Sequence, residues 1–355
     1  MQPSAIKKIW KLNTRIINPG GWFWWFWLFF IDNPKNPEKP GQLMILWSIK
    51  KDKLIYCNNL PITYDTSHQD KKKRSFCGTV AAWYFDGNKM HDDYLLENCP
   101  FTLDEGKLVL KAEGKTNSSF LFKDGKFIVD IERGGKKMHF VAKESKKAPL
   151  LVGDNVANFF GGSMSVHSMY MNHLSLGGSI GGRKISGSAY FQKILVNAPP
   201  PCWYWGIFQY KDGSHLKYFN TYAGRAILKD NLIDPQLKTP SASITQDLNF
   251  FDAKRGLSEH FKNLTIVPKR SGKNWVHEII GENEEYTIEV LAKTYSHSCW
   301  HFRKNVSFLP LMSNFKYNEY PAMIQKVKLK NKKTREELLY GKAVGNIEQA
   351  WGLLL

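Results

Sequence analysis

Apolar residues in this chain recur mostly at every second position, in short runs broken by Gly, Pro, Asn and Asp. Such alternation puts successive side chains on opposite faces of a strand, so it predicts β-structure along most of the length. In residues 126–133, Phe127, Val129 and Ile131 share one face while Asp130 and Glu132 share the other, as a half-wet antiparallel strand requires. Asp124-Gly125 before that run and Gly134-Gly135 after it are hairpin turns. Comparable runs lie at 42–50, 76–85, 107–113, 119–123 and 137–143. Further along they recur at 166–176, 185–196, 203–210, 222–228, 244–251, 260–267, 275–280, 286–293, 299–306, 322–329 and 337–348. Residues 228–237 hold at most a helical turn, and no helix-period run has the length a βαβ unit needs. The expected fold class is all-β, two antiparallel barrels or sandwiches in tandem.

Two breaks in the pattern set the expected domains. Residues 148–165 lose the alternation and contain Gly153, Gly161 and Gly162, which divides the chain into a first β-domain, 19–165, and a second, 166–355. Residues 1–18 form an amphipathic arm, with Ile6, Ile9, Trp10, Ile16 and Ile17 interleaved with Lys7, Lys8, Lys11 and Arg15, stopped by Asn18-Pro19-Gly20-Gly21. Its character permits contact with a membrane surface, but packing on the protein body is the simpler expectation. Trp22–Ile31 is apolar at all 10 positions. A membrane-spanning helix needs about 20 residues, so this run predicts a strand buried on both faces.

Composition narrows the partners. Lys and Arg number 50 against 32 Asp and Glu, a formal charge of +18. The basic clusters, such as Lys71-Lys72-Lys73-Arg74 and residues 326–335, are scattered and carry no nucleic-acid fold signature, so nucleic acid is not the expected partner. Peripheral contact with an anionic membrane remains the role open to that charge. The five cysteines, odd in number and without a CxxC pair, fit thiols in a reducing compartment, which predicts a cytoplasmic protein. Aromatics reach 14%, with 12 Trp, a composition suited to aromatic-walled cavities.

Candidate chemistry centres on residues 185–219. Two strand-like runs there flank Pro199-Pro200-Pro201, which cannot sit in a sheet ladder. The period of two puts Trp203, Trp205 and Ile207 on one face and Tyr204, Gly206 and Phe208 on the other; Tyr190 and Gln192 share a face of their own strand. Two indoles, a phenol and an amide suit an apolar pocket with a few polar handles. His297, Cys299 and His301 also share a face, but the two histidines would stand about 13 Å apart on a strand, too far for one zinc ion. No metal is expected. No HExxH, GxSxG, P-loop or dinucleotide-binding pattern occurs, and Gly177-Gly178-Ser179-Ile180-Gly181-Gly182 reads as a hairpin loop, so no cofactor is expected.

Several of these motifs resemble the carotenoid 1,2-hydratase (hydroxyneurosporene synthase)/AttH-like family. Trp24-Trp25-Phe26 with residues 42–47, Gly187-Ser188-Ala189-Tyr190, Trp203-Tyr204-Trp205-Gly206 with Asp212-Gly213, and Gly345-Asn346-Ile347-Glu348 are similar to its strands. The resemblance implies two lipocalin-like β-domains and the binding, with hydration or cyclisation, of a large apolar isoprenoid- or polyene-like molecule. It also implies a binding set of Trp25, Tyr190, Gln192, Trp203, Trp205 and His215, the tyrosine, amide and indoles bordering one cavity. Relatives carry an acid two positions after the tyrosine, where this chain has Gln192, and an amide cannot supply a proton. Tyr190, Gln192 and Glu348 are thus the catalytic candidates. The alternative is a non-catalytic lipid carrier at a membrane surface.

Overall fold

The computed structural model describes residues 3–12, 21–50, 55–62, 65–69, 73–145, 152–159, 164–197, 202–223, 242–304 and 313–354. It is all-β apart from one short helix, as the alternation predicts, and it divides into two units, Met1–Pro199 and Pro200–Leu355. The expected helical turn at 228–237 lies outside the described residues.

In the first unit the strands are β1 (Trp22–Ile31), β2 (Gly41–Lys50), β3 (Lys73–Phe85), β4 (Met90–Asp104) and β5 (Val109–Glu113). They are followed by β6 (Asn117–Lys123), β7 (Lys126–Arg133), β8 (Lys136–Glu144), β9 (Met164–Ile180) and β10 (Arg183–Asn197). Each pairs antiparallel with the next, and β10 returns to β1, giving a closed up-and-down barrel of ten strands, the lipocalin manner of removing sheet edges. β1 is therefore an inner barrel strand, and both its faces are buried, Trp25, Trp27 and Phe29 on one and Phe26, Leu28 and Phe30 on the other, which is why every position in it is apolar. Its Trp25, Trp27 and Phe29 point inward with Phe120, Phe127, Phe140 and Phe191.

This closure corrects the expected boundary. The hairpin β9–β10, assigned by sequence to the second domain, is what completes the first barrel, and the division falls in the proline run instead. Residues 152–159, where alternation fades, still add a strand alongside β9. Gly181-Gly182 makes the turn between β9 and β10 with φ of 55° and 81°, the left-handed values a tight hairpin needs.

Residues 3–12 of the arm pack on the first barrel, the simpler of the two expectations. The helix α1 (Pro3–Trp10) sets Ile6, Ile9 and Trp10 into the barrel core, with Trp10 stacked on Phe120 at 4.8 Å between centroids. Trp25 Nε1 donates to Ile9 O at 2.8 Å, and Lys193 Nζ donates to Lys8 O and Lys11 O at 2.5 and 2.6 Å, a cation on the helix's last carbonyls. Among the described residues no helix is long and apolar enough to cross a membrane.

The second unit runs through β11 (Cys202–Gln209), β12 (His215–Ala223), β13 (Ala242–Asp252), β14 (Leu257–Phe261), β15 (Asn263–Ser271) and β16 (Asn274–Glu282). Then come β17 (Tyr286–Thr294), β18 (Ser298–Lys304), β19 (Ser313–Asn331), β20 (Glu337–Tyr340) and β21 (Ala343–Leu354). The order is β14-β13-β12-β11-β21-β19-β17-β16-β15, with β18 and β20 also on β19, so the last strand is inserted beside the first. Residues 337–348, expected as one strand, are two, broken between Tyr340 and Ala343. The ends meet at Gln246 on β13: its Nε2 donates to Leu264 O at 2.7 Å, and Leu264 N donates to its Oε1 at 3.2 Å. A side-chain amide thus stands in for a ladder step and draws the sheet around one core containing Phe208, Leu248, Ile279, Val290, Leu329 and Ile347.

Candidate functional site

The register of three adjacent strands builds the site. On β11, Trp203, Trp205 and Ile207 stand opposite Ala350, Glu348 and Asn346 of β21, which stand opposite Tyr317, Glu319 and Pro321 of β19. The alternate residues, Tyr204, Phe208, Tyr320 and Ile347, belong to the apolar core. The first set therefore occupies the reverse face of the sheet, and that face is buried too: Glu319 is 1% and Glu348 4% exposed.

Two carboxyls directly across a strand pair have Cβ atoms about 5 Å apart. Tyr317 Oη donates to Glu319 Oε1 at 2.5 Å, and Asn346 Nδ2 donates to Glu319 Oε2. Glu348 is served differently. Trp203 Nε1 donates to its Oε2 at 3.1 Å, while its buried Oε1 has no hydrogen-bond partner among the described residues. Aromatic rings close in around the pair: the Trp203 ring lies 5.5 Å from Phe315 and 5.8 Å from Tyr317, and Trp300 stacks on Tyr317 at 6.0 Å.

Electrostatics follow from this geometry. Burial disfavours the charged form of both carboxyls, and the charge of Glu348 raises Glu319 further. Glu348 is pushed up to about 7, by burial against the opposing pull of Tyr317 and Trp203. The two cannot both ionise cheaply, so at neutral pH the pair shares a proton. Both oxygens of Glu319 accept bonds while Glu348 Oε1 accepts none, so Glu348 Oε1 is the position in the pair from which the shared proton can be passed on. The Tyr317 hydroxyl is held far above its ordinary value by burial and by both glutamates, so it stays a donor.

Of the sequence candidates, Glu348, Trp203 and Trp205 come together here, whereas His215 sits further along β12. It is buried, with Nδ1 3.3 Å from Gly213 O and its ring 5.2 Å from Phe251. Tyr190 and Gln192 lie on β10 of the first unit, both buried, the Tyr190 hydroxyl donating to Gln192 Oε1 at 3.0 Å. Trp25 lies inside the first barrel, holding the helix. His297 and His301 turn to separate partners, Asn318 and Asn314. Sequence reasoning missed Tyr317, Glu319 and Asn346. A signal was present: Tyr317-Asn318-Glu319 repeats the spacing of Tyr190-Phe191-Gln192, and in both the phenol donates to the side-chain oxygen two residues on.

No family model matches the sequence, and no curated protein matches it. Among solved structures the chain is similar to a candidate AttH of Nitrosomonas europaea, at 11% identity and a TM-score of 0.47 over 92% of each chain. It is also similar to kievitone hydratase of Nectria haematococca, at 8% identity and a TM-score of 0.38, over 94% of this chain and 89% of that one. Residue roles here rest on this chain's own geometry.

Proposed function

We propose that the protein binds an apolar, unsaturated molecule of isoprenoid or polyene type against the reverse face of β11, β21 and β19, and that Glu348 protonates it. The observation that carries this reading is the buried pair Glu319–Glu348 with one undonated oxygen, Glu348 Oε1. A carboxyl that keeps its proton near neutral pH is suited to act as a general acid. Transfer of that proton to one carbon of a C=C bond leaves a cation on the chain and a carboxylate on Glu348. The π-faces of Trp203 and Tyr317 and the charge of the pair stabilise the cation. Water then adds to it and returns a proton to Glu348, giving net hydration; attack by a second double bond of the substrate closes a ring instead, and the ring cation loses a proton back to Glu348, giving cyclisation. The acid that relatives place two residues after a tyrosine is thus supplied in the second unit, by a strand pair rather than at Gln192.

The test is incubation of acyclic isoprenoids and polyenes in D2O, with products read by mass spectrometry. Deuterium on carbon in wild-type product, lost at least 100-fold in Glu348→Gln while fluorescence titration shows the ligand still bound, is the expected result. Undiminished labelling in folded Glu348→Gln would move the proton donor elsewhere. Binding without any wild-type turnover would favour the carrier reading.

A further inference from the structure

The outward face of β15, β16, β17, β19 and β20 holds four of the five large apolar side chains that stand exposed among the described residues, Val267, Ile280, Leu291 and Leu339. The inward face of the same strands already supplies Ile279, Val290 and Leu329 to the core. Exposed apolar residues are ordinary when scattered, but four gathered on one sheet face mark a contact surface. A shallow groove of about 270 Å3 runs between them, walled by Ile280, Leu291, Glu289 and Lys328. The register orders charge across this face. Ile280 stands opposite Glu289, Glu289 opposite Lys328, and Lys328 opposite Leu339, so one row of neighbours on β16, β17, β19 and β20 reads apolar, acid, base, apolar. Glu278 and Glu282 share the side of Glu289, and Lys326 and Lys330 share the side of Lys328, so the face divides along the β17–β19 boundary into an acidic and a basic half. Pairs within the chain soften this division without erasing it: Lys269 Nζ lies 2.6 Å from Glu278, and Glu337 lies 3.0 Å from Lys328 and 3.3 Å from Lys330.

We propose that two copies of the chain associate through this face, about a two-fold axis running along the strands between β17 and β19. Such an axis lays the row onto itself in reverse. Ile280 then meets the partner's Leu339, and Glu289 meets the partner's Lys328, each contact made twice. The four central charges alternate in sign, and the apolar ends cover one another. In the next row Leu291 meets the aliphatic stem of the partner's Lys326. Glu282 falls opposite the partner's Glu337, and each is held by a lysine of its own copy, Glu282 by Lys332 at 3.1 Å and Glu337 by Lys328 at 3.0 Å. A partner of uniform charge, such as nucleic acid or an anionic membrane, is repelled by one half of the face, whereas a second copy satisfies both halves. Five strands and three rows cover roughly 400–500 Å2 per copy, a little over half of a standard interface, so the dissociation constant is expected roughly in the tens of micromolar.

Sedimentation of the full chain over a concentration series tests this. The wild-type chain is expected to pass from monomer to dimer in that range, and about 0.5 M salt should weaken the association roughly tenfold by screening the charges. Glu289→Lys and Lys328→Glu, each alone, should weaken it by about tenfold or more, because each sets like charges across the axis. Mixing the two singly reversed chains should restore dimers to within about threefold of wild type, since both cross-axis pairs are then opposite in sign. A role confined to one copy gives no such rescue. Leu339→Asp alters a side chain that is 65% exposed, so it should leave the circular dichroism spectrum intact while removing the apolar ends of the contact. Where a reversed chain fails to fold, this variant and the wild-type series still decide. A chain that stays monomeric throughout, a dimer indifferent to all three substitutions, or a mixture no better than its components would overturn the proposal.

Discussion

Glu348 faces Glu319 directly across the β21–β19 pair, and the two are unequally served: both oxygens of Glu319 accept bonds, from Tyr317 and Asn346, whereas Glu348 Oε2 accepts from Trp203 and Oε1 has no hydrogen-bond partner among the described residues. Like charges opposite one another on a sheet repel, and burial strengthens the repulsion. The folded state therefore retains a proton over a range in which the unfolded chain has released it.

The first prediction follows from that range. A free glutamate titrates at 4.5 and Glu348 in the fold at about 7. Between those values the folded form binds more protons than the unfolded one, so stability falls as pH rises through the window and levels off above it. Glu348→Gln removes this titration. The variant is expected to gain on the order of 2 kcal/mol over wild type between pH 5 and pH 8, read as the change in the difference of urea-unfolding free energies. Buried His277, lowered to about 4, loses stability in the opposite direction as pH falls below 6.5, but it is common to both proteins and cancels. A difference that stays constant with pH would contradict a shared proton.

The helix anchor gives the second. Lys193 holds the last carbonyls of α1, and Trp10 fills the space between Phe120 and Phe127. Lys193→Met should cost about 1 kcal/mol and Trp10→Ala about 3–5 kcal/mol. Hydrogen exchange should accelerate first at residues 3–12 in Lys193→Met, with the barrel strands unchanged. Uniform loss of protection would mean that the helix and barrel open as one unit.

A third concerns Gln246. Gln246→Glu keeps the shape but loses the donor to Leu264 O and sets a carboxylate beside that carbonyl. The expected cost is about 1–3 kcal/mol, with exchange raised locally in β13 and β15. An unchanged denaturation midpoint would show that the sheet ends are held by packing alone.

Much of the architecture was readable because it is local. The unbroken apolar run of β1 and the separation of Trp203 and Trp205 from Tyr204 and Phe208 both follow from side-chain alternation alone. The domain division was not readable, because β9–β10 is the same hairpin in sequence whichever barrel it closes; its partner, β1, lies about 160 residues earlier. Glu319 was missed for a related reason. The alternation predicts a strand only from residue 322, whereas β19 begins at Ser313, and nothing local says that the face carrying Glu319 is buried. Trp25 had the opposite difficulty: it stands within a motif of the expected family, yet only the folded barrel reveals that its indole nitrogen is directed to Ile9 O.

The last prediction isolates the donor to Glu348. Trp203 Nε1 donates to Glu348 Oε2 at 3.1 Å, and that bond stabilises the carboxylate more than the acid. Trp203→Phe retains an aromatic ring against Phe315 and Tyr317 while removing the N–H donor together with part of the indole. With its one indole donor gone, the Glu348 carboxylate is worse solvated, so the proton is held more tightly and the titration moves upward. A hydrogen bond to a charged group contributes about 1.5–3 kcal/mol, and one pKa unit corresponds to about 1.4 kcal/mol, so the rise should be about one to two units. Infrared titration of the protonated carboxyl band, with Glu348→Gln as the blank, reads this without any substrate. In turnover the same change should extend the alkaline limb of the pH–rate profile, since the acid form survives to higher pH. A titration that stays in place or moves down would mean that the indole does not support the charged form, and the assignment of the proton to Glu348 Oε1 would fall with it.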